Sequence, residues 1–572
     1  MSPLRAGFFT SSLGLCRGFF VSGGPMPNIN AGQRTGINIP AGQVLTLIGS
    51  SSVTGMLRIF SPDRANRSQT NVMPGTSSYG PYPADVNGEL QCWSGDVGYA
   101  VAASAVPSAS SGLPPGGDAD YAAAVVGAAG AVVPLRRSIS GLPTAMAFGN
   151  SITAQNRIGA NTVNGSVSFD AHLWWAQALS GHAFEWLQTG ATVQVGASAS
   201  SLLTQGIYGY SGATSVDIYS TAFAATLAAY RPNYALIQMM ENDVTQIVAG
   251  AITRAQAQTA YLNTIAGCIA QGTRPIFIGC LPSKSYSTAA HSAEYWALTN
   301  YVESLQSQYP NLIYVPVSDL YTDSALTTPQ PLSSGIYANY TDTSVHPKVA
   351  APLIGARIAD VLAACGIRGF GLIPGPGDAR FIGGNAFTCG TGGTASAPVT
   401  GSVVNNLTIA NNMTSATIAA AVVNANGRQA QRVTISAGTS TGFQNLYSQF
   451  TSAINAGASS FSVGDAVQLF VELEIDSTVN LTGLRDLTLE LAHTGGAVTP
   501  YQMFKKANAD TFDTITIPTG RKMLLATPLS AVTAGTTALR AFFYAYASQN
   551  AAAASGQFLN TKFSIVNWSK TN

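Results

Sequence analysis

Hydrophobic and polar positions along this chain follow three successive rhythms. From about Gly36 to Ser104, Leu45 and Leu47, then Leu57 and Ile59, alternate with polar neighbours, and Pro or Gly recurs every eight to twelve residues. A period of two broken by frequent turns predicts a small β module. Ser108 to Gly117 is built of Ser, Pro and Gly and reads as linker. The Ala/Val-rich stretch Tyr121 to Pro134 fits a short helix or a strand.

From Leu142 to about Ile367 the rhythm changes. Tyr234 to Met240, Pro275 to Cys280 and Leu312 to Pro316 read as strands, and Ala251 to Ala270, Ala289 to Gln308 and Ala350 to Ala364 as helices. That alternation predicts a parallel sheet covered on both faces. Past Gly369 to Gly377 it changes again. Val467, Leu469, Val471, Leu473 and Ile475 alternate with Gln468, Phe470, Glu472, Glu474 and Asp476, which predicts one buried and one largely solvated face. Leu487, Leu489 and Leu491 repeat the pattern against Asp486, Thr488 and Glu490, and further strands are expected at Ile515 to Ile517, Ala541 to Tyr546 and Phe563 to Ile565. Residues 380–572 are therefore expected to form an antiparallel β-sandwich of jelly-roll type. Phe542, Tyr544 and Tyr546 share one face of their strand, where a core role fits better than a stacking platform for sugar. The chain thus divides into an N-terminal segment 1–35, a β module 36–106, a linker 107–141, an α/β domain 142–367 and a C-terminal sandwich 380–572.

Composition adds the compartment. At 572 residues the chain needs several cores. Only 9% of residues are charged, against about 25% in an average soluble protein. With 58 Gly and much Ala, Ser and Thr, hydroxyls and amides must cover the surface, as on extracellular and virion proteins. A net charge of +1 offers no electrostatic case for nucleic acid or an anionic membrane. No apolar run reaches the eighteen residues of a membrane span. Arg5 to Cys16 imitates a signal peptide, but Arg17 interrupts the apolar region and no small-residue cleavage site follows, so the segment is expected to stay uncleaved. The six cysteines (Cys16, Cys92, Cys268, Cys280, Cys365, Cys389) are scattered, which predicts free thiols rather than a disulfide framework or zinc site.

The chemistry starts at Ala145 to Phe148, a short apolar run leading into Gly149, Asn150 and Ser151. A buried strand ending at a tight turn that displays one hydroxyl reads in this way. Three later segments stand where other parallel strands would end, the edge at which open α/β sheets bind ligands. They are the Gly-rich turn Gly209 to Ser215, the run Met240, Glu241, Asn242 and Asp243, and the stretch Asp342 to Pro347 containing His346. A serine hydroxyl needs an adjacent base at neutral pH, and histidine titrates in the range that suits the task. Of the other histidines, His172 and His182 flank an apolar helical run and read as structural, His291 as solvated, and His493 as following a strand. Asp243 reads as a residue that orders its loop.

Gly-Asn-Ser-Ile-Thr, Ser-Gly-Ala-Thr-Ser, Glu-Asn-Asp and Val-His-Pro, in this order, resemble the SGNH (GDSL-like) hydrolase family over 142–367. The resemblance implies a three-layer, flavodoxin-like α/β domain and a carboxylic ester hydrolase without metal or cofactor. It makes Ser151 the nucleophile and His346 the base. The oxyanion hole would be the N–H groups of Gly212 and Ser151 and the side-chain amide of Asn242. The chain departs from the family at Asn150, where Asp is usual, at Met240, where Gly is usual, and at Thr343, where the histidine-orienting Asp usually stands. Asp342, one residue earlier, is the candidate third member, with a backbone carbonyl in a Ser–His dyad as the alternative. The C-terminal part loosely resembles the carbohydrate-binding sandwiches appended to hydrolases, and binding glycan or assembling an oligomer both stay open for it.

The whole resembles a bacteriophage tail fibre or tailspike, or another extracellular assembly. Such proteins often carry esterases that remove O-acetyl groups from surface polysaccharide. That implies a polysaccharide substrate, tail proteins held through segment 1–35, and a homotrimer. Two rivals remain. A lipase-type esterase would want an apolar lid, and Asn156 to Ser168 is too polar for one. A non-catalytic virion protein with a decayed hydrolase fold finds its argument in Thr343.

Overall fold

The computed structural model falls into two units, Met1–Ser108 and Ala109–Asn572. The structure describes the main chain of the strands between Asn28 and Ala103. It also describes residues 138–570 apart from 160–164, 188–205, 332–344, 370–372, 386–389, 414, 426–427, 439–444, 477–483, 497–499, 506–516 and 548–553.

In the N-terminal unit the period of two becomes a pair of four-stranded antiparallel sheets. One runs Asn28–Ile29, Val97–Ala103, Gln43–Gly49, Gly75–Tyr79, and the other Ile37–Ile39, Val86–Cys92, Gly55–Phe60, Arg67–Val72. Leu45 and Leu47 pair with Val101 and Tyr99, and Leu57 with Leu90. The pairing Asn28–Ile29 draws residues from segment 1–35 into the module. The stretch Tyr121 to Pro134 lies outside the described residues.

The second unit holds a six-stranded parallel sheet. Its strand Thr144–Gly149 pairs with Glu185–Trp186 and Ile207–Gly209 on one side and with Tyr234–Gln238 on the other. Arg274–Ile278 and Ile313–Val315 follow outward. Strand order therefore reverses at Thr144–Gly149, which places the mouth of the sheet beyond Gly149. Every residue of this strand is buried. Ala145, Ala147, Leu236 and Ile276 join one apolar cluster with the helices His172–Leu179 and Ala351–Ala364. Met146, Phe148, Ala235, Ile237 and Phe277 join another with Arg254–Ala270 and Ala289–Ser304. Alternate side chains thus leave on opposite faces, and each face is roofed by helices. The expected helix 251–270 starts at Arg254 behind a Thr253–Gln256 capping box, and Ala289 to Gln308 ends with a 3-10 turn at Leu305–Ser307.

Residues beyond 380 supply most of two eight-stranded sheets. They are antiparallel except for three outer pairs, Ser166–Ser168 with Tyr501–Lys505, Thr394–Ala395 with Leu407–Asn411, and Thr400–Gly401 with Thr417–Ala425. Leu487, Leu489 and Leu491 from one sheet and Leu469, Val471 and Leu473 from the other belong to a single buried cluster. Phe543 meets Phe558 across it at 5.5 Å.

Two expectations about faces are corrected. The second face of Ala466–Ile475 is not solvated: Gln468, Phe470 and Glu472 are buried. Phe470 packs edge-on against His182 of the α/β part, the Trp568 indole donates to Gln468, and Lys562 pairs with Glu472 at 3.2 Å. His182 of the α/β part takes the place of water at Phe470, and Trp568 and Lys562 of the C-terminal part do so at Gln468 and Glu472. Conversely, Phe542, Tyr544 and Tyr546 are not the core face. They are half-buried, and Ala541, Phe543 and Ala545 are the buried set. The strand expected at Ile515 to Ile517 lies largely outside the described residues, and Lys522–Ala526 is the strand that follows.

The α/β part and the C-terminal sheets are stitched together. Ser166–Ser168 adds a strand to a C-terminal sheet, Trp175 stacks on Phe504 at 3.5 Å and 4°, and Arg521 pairs with Asp360. Phe504 has φ +58, a conformation bulky residues avoid, and is held there by this stack inside the core.

Candidate active site

Three strand ends sit in one register: Gly209 and Gln238 both flank Gly149. Ser151, Gly212 and Asn242 lie two, three and four residues beyond those ends at the same edge, Ser151 and Asn242 in the first turns of two helices and Gly212 in a turn. Close packing dictates Gly149, since a Cβ there would stand 2.0 Å from the Gln238 carbonyl oxygen. Asn150 then caps the short helix Ser151–Ala154, its side-chain oxygen accepting from the Ile152 N–H at 3.0 Å. That cap holds Ser151 at the first helical position.

Ser151 Oγ lies 2.7 Å from His346 Nε2, across 195 residues of sequence. His346 stands just ahead of Ala351–Ala364, in the late loop where it was expected. At this distance a neutral imidazole with a free Nε2 lone pair can accept the serine proton. Asp342 and Thr343 lie outside the described residues.

Gly212 adopts φ +78, which only glycine takes without strain, and its Cβ position faces open space. The Asn242 amide donates one hydrogen to the Ala213 carbonyl at 2.8 Å, tying the glycine loop to the helix Glu241–Val248. An amide nitrogen carries two hydrogens, so this bond orients the other. Asp243 orders the same loop, as expected. Its carboxylate accepts from the Ser215 N–H at 2.8 Å and from the Tyr261 hydroxyl. Burial raises its pKa to about 6, opposed by the hydrogen bonds from Tyr261 and Ser215.

Glu241 went unread in the sequence and is central to the geometry. Its buried carboxylate accepts from Asn150 Nδ2 at 2.7 Å, Gln238 Nε2 at 3.2 Å and the Leu281 N–H at 3.3 Å. It thereby ties together the ends of three adjacent strands, and burial raises its pKa. The signal for it was Asn150. A carboxylate at 150 would face Glu241 as a like charge, whereas an amide donates to it.

The remaining histidines are elsewhere. His172 and His182 are buried, His182 beside Glu185 at 3.0 Å, and His291 is half-exposed in the first turn of its helix. His493 is buried within the strand Leu484–Thr494 rather than following it. Cys268 and Cys280 are buried free thiols and Cys365 a half-buried one. Among the described residues no helix is long and apolar enough to cross a membrane.

No sequence-family model and no curated protein matches this chain. Solved structures do. A protein described as lipolytic and of the G-D-S-L family, from Desulfitobacterium hafniense, is similar at 16% identity over 38% of this chain and 99% of its own, with TM-score 0.26. An acetylxylan esterase from Geobacillus stearothermophilus is similar at 16% identity over 41% of this chain and 97% of its own, with TM-score 0.28. The enzymatically active domain of tailspike protein 4 of bacteriophage CBA120 is similar at 11% identity over 28% of this chain and 19% of its own, with TM-score 0.20. Likeness at this level leaves the function to the site's own geometry.

Proposed function

We propose that this chain is a serine esterase of the SGNH type that removes short acyl groups, O-acetyl above all, from a surface polysaccharide. The observation that carries the reading is the 2.7 Å hydrogen bond between Ser151 and His346 at the mouth of a parallel sheet. In this reading Ser151 Oγ attacks the ester carbonyl as His346 takes its proton. The carbonyl π electrons move to oxygen, where the N–H groups of Gly212 and Ser151 and the Asn242 amide meet the developing charge. Each such donor contributes about 3–4 kcal/mol to the transition state. Collapse expels the sugar alkoxide, which leaves with the proton from His346. Water then repeats the sequence on the acyl-serine, releases acetate and regenerates Ser151. Asp342 is the proposed partner of the second imidazole nitrogen.

In the same proposal the parallel sheet and its helices are a three-layer SGNH-type domain, and the two eight-stranded sheets a jelly-roll sandwich like those that bind carbohydrate. The packing of Phe543 of one sheet against Phe558 of the other supports the latter. Low charge and the β-rich flanks support a place in a phage tail fibre, tailspike or other extracellular trimer, with segment 1–35 contacting its other proteins.

A fluorophosphonate probe is expected to label the wild type and leave Ser151→Ala unlabelled. On aryl esters, kcat/KM is expected to fall beyond butyrate. Equal labelling of both proteins overturns the mechanism, and a rate rising toward octanoate overturns the acetyl preference.

A further inference from the structure

The hydrogen bonds described for the Ser151 site involve none of the aromatic row on the C-terminal part. Phe542, Tyr544 and Tyr546 leave the strand Ala538–Ala547 on the face opposite its core, and Tyr447 joins them from the neighbouring strand Asn445–Phe450. All four are half-buried. Ring centroids are 5.5 Å apart from Phe542 to Tyr544 and from Tyr544 to Tyr546, and 6.0 Å from Tyr447 to Tyr544. Three rings two residues apart make a strip on the order of 13 Å long, the span of a short oligosaccharide rather than one sugar.

The strip is not a bare apolar patch. In register beside Phe542 stand Glu490 on one flank and Gln449 on the other, and Asn445 stands beside Tyr546. Gln502 donates to the Glu490 carboxylate, and Lys505 Nζ lies 5.3 Å over the Tyr546 ring. Hydrogen-bonding groups therefore line the rings on both sides, one strand spacing away.

The choice of occupant follows from that pattern. An apolar helix or a lipid surface laid on the strip would bury Glu490, Gln449, Asn445 and Lys505 against carbon, at a desolvation penalty for each. Nucleic acid would bring phosphates toward Glu490, with Lys505 and Arg540 as the cations along the strip. A sugar chain satisfies both sets. The C–H face of a pyranose suits the electron-rich face of an aromatic ring, and its hydroxyls both donate to a carboxylate and accept from amides. Beside the rings the carboxylates of Glu490 and the buried Asp486 stand against the cations of Lys505 and the exposed Arg540, a balance that favours a chain without net charge.

We propose that Phe542, Tyr544, Tyr546 and Tyr447 form a binding surface for a neutral polysaccharide, separate from the Ser151–His346 site. The ligand shares the substrate class of the proposed esterase, and the test keeps the two readings apart. The full chain and a Tyr544→Ala/Phe542→Ala variant are run by affinity electrophoresis through gels containing xylan, galactan, mannan or dextran, each with and without O-acetyl groups. Wild type and variant are also assayed on a soluble aryl acetate, and their masses are measured by light scattering. The expected result is retardation of the wild type by at least one polysaccharide and at least about tenfold weaker retention of the variant. Aryl acetate turnover is expected to stay within about twofold, and mass to stay unchanged. If no polysaccharide retards the wild type, or the variant is retarded equally, the proposal is overturned. A change of assembly mass in the variant also overturns it, because the strip would then be an interface between copies. Absence of aryl acetate turnover in the wild type defeats the esterase reading and leaves this one standing.

Discussion

Asn150 is the residue on which the site's geometry converges: its oxygen caps the helix of Ser151, the proposed nucleophile, and its amide donates to Glu241. An amide does both, since it carries a donor and an acceptor where an ionised carboxylate carries acceptors alone. Asn150→Asp, which restores the residue usual in the family resembled, is therefore expected to lower kcat at least tenfold while leaving KM nearly unchanged. Two carboxylates in this buried place cannot both ionise, so the defect should deepen as pH rises. Adding Glu241→Gln to that variant is expected to restore much of the rate, because the donor and acceptor have merely changed sides. An Asn150→Asp enzyme with a wild-type pH–rate profile would show that the pair plays no positioning role. Asp342 is argued from chemistry alone. If it holds the second nitrogen of His346, Asp342→Asn should cost up to about ten-thousandfold in kcat on a folded sample. A near-wild-type rate from pH 5 to 9 would make the site a Ser–His dyad.

Strands and helices set what can be deleted. The Trp175 and Phe504 rings join the helix His172–Leu179 to the strand Tyr501–Lys505, and both residues are fully buried. Truncating Trp175 opens a cavity and removes the contact that holds Phe504 in its left-handed backbone. Trp175→Ala is expected to lower unfolding free energy by about 3–5 kcal/mol, read from urea denaturation of the full chain. A loss below about 1 kcal/mol would mean that the two parts are stabilised elsewhere. The short strands Ser166–Ser168, Glu185–Trp186 and Ile207–Gly209 were not legible in the sequence. Two or three residues carry no period, and their pairing comes from partners far along the chain.

For the whole molecule, stability should fall in acid through its buried imidazoles. Burial lowers His172 from 6.5 to about 4, opposed by a hydrogen bond with Gln238, and burial lowers His493 from 6.5 to about 4. Below pH 6.5 the unfolded chain binds protons at these positions and the native protein does not, so stability declines between pH 6.5 and 4. Each contributes on the order of 3 kcal/mol over that window. Asp243 acts in the opposite sense. Its native value of about 6 lies above the ordinary 3.8, so protonation between those values stabilises the native state and offsets part of the loss. His493→Gln is expected to flatten the decline measured by urea melts between pH 7 and 4. An unchanged slope would assign the acid lability to other groups.

Periodicity and spacing placed the β-module strands, the alternating α/β pattern and the four strand-end segments that hold Ser151, Gly212, Asn242 and His346, and the family resemblance picked those residues out of them. Those features are local: alternation marks a half-buried strand, and a Gly-rich stretch after an apolar run marks its exposed end. Tertiary structure alone decided which faces are dry. Gln468 and Glu472 look solvated in sequence because the groups that cover them, such as Trp568 100 residues and Thr561 89 residues further on, are remote in the chain, and Phe542 and Tyr544 look like core for the converse reason. The structure also decided the 2.7 Å approach of Ser151 to His346 and the three-strand clasp of Glu241. A carboxylate between an apolar strand and an asparagine reads as an ordinary helix start. Only the register of neighbouring strands, set by packing across the whole sheet, turns it into the support of the site.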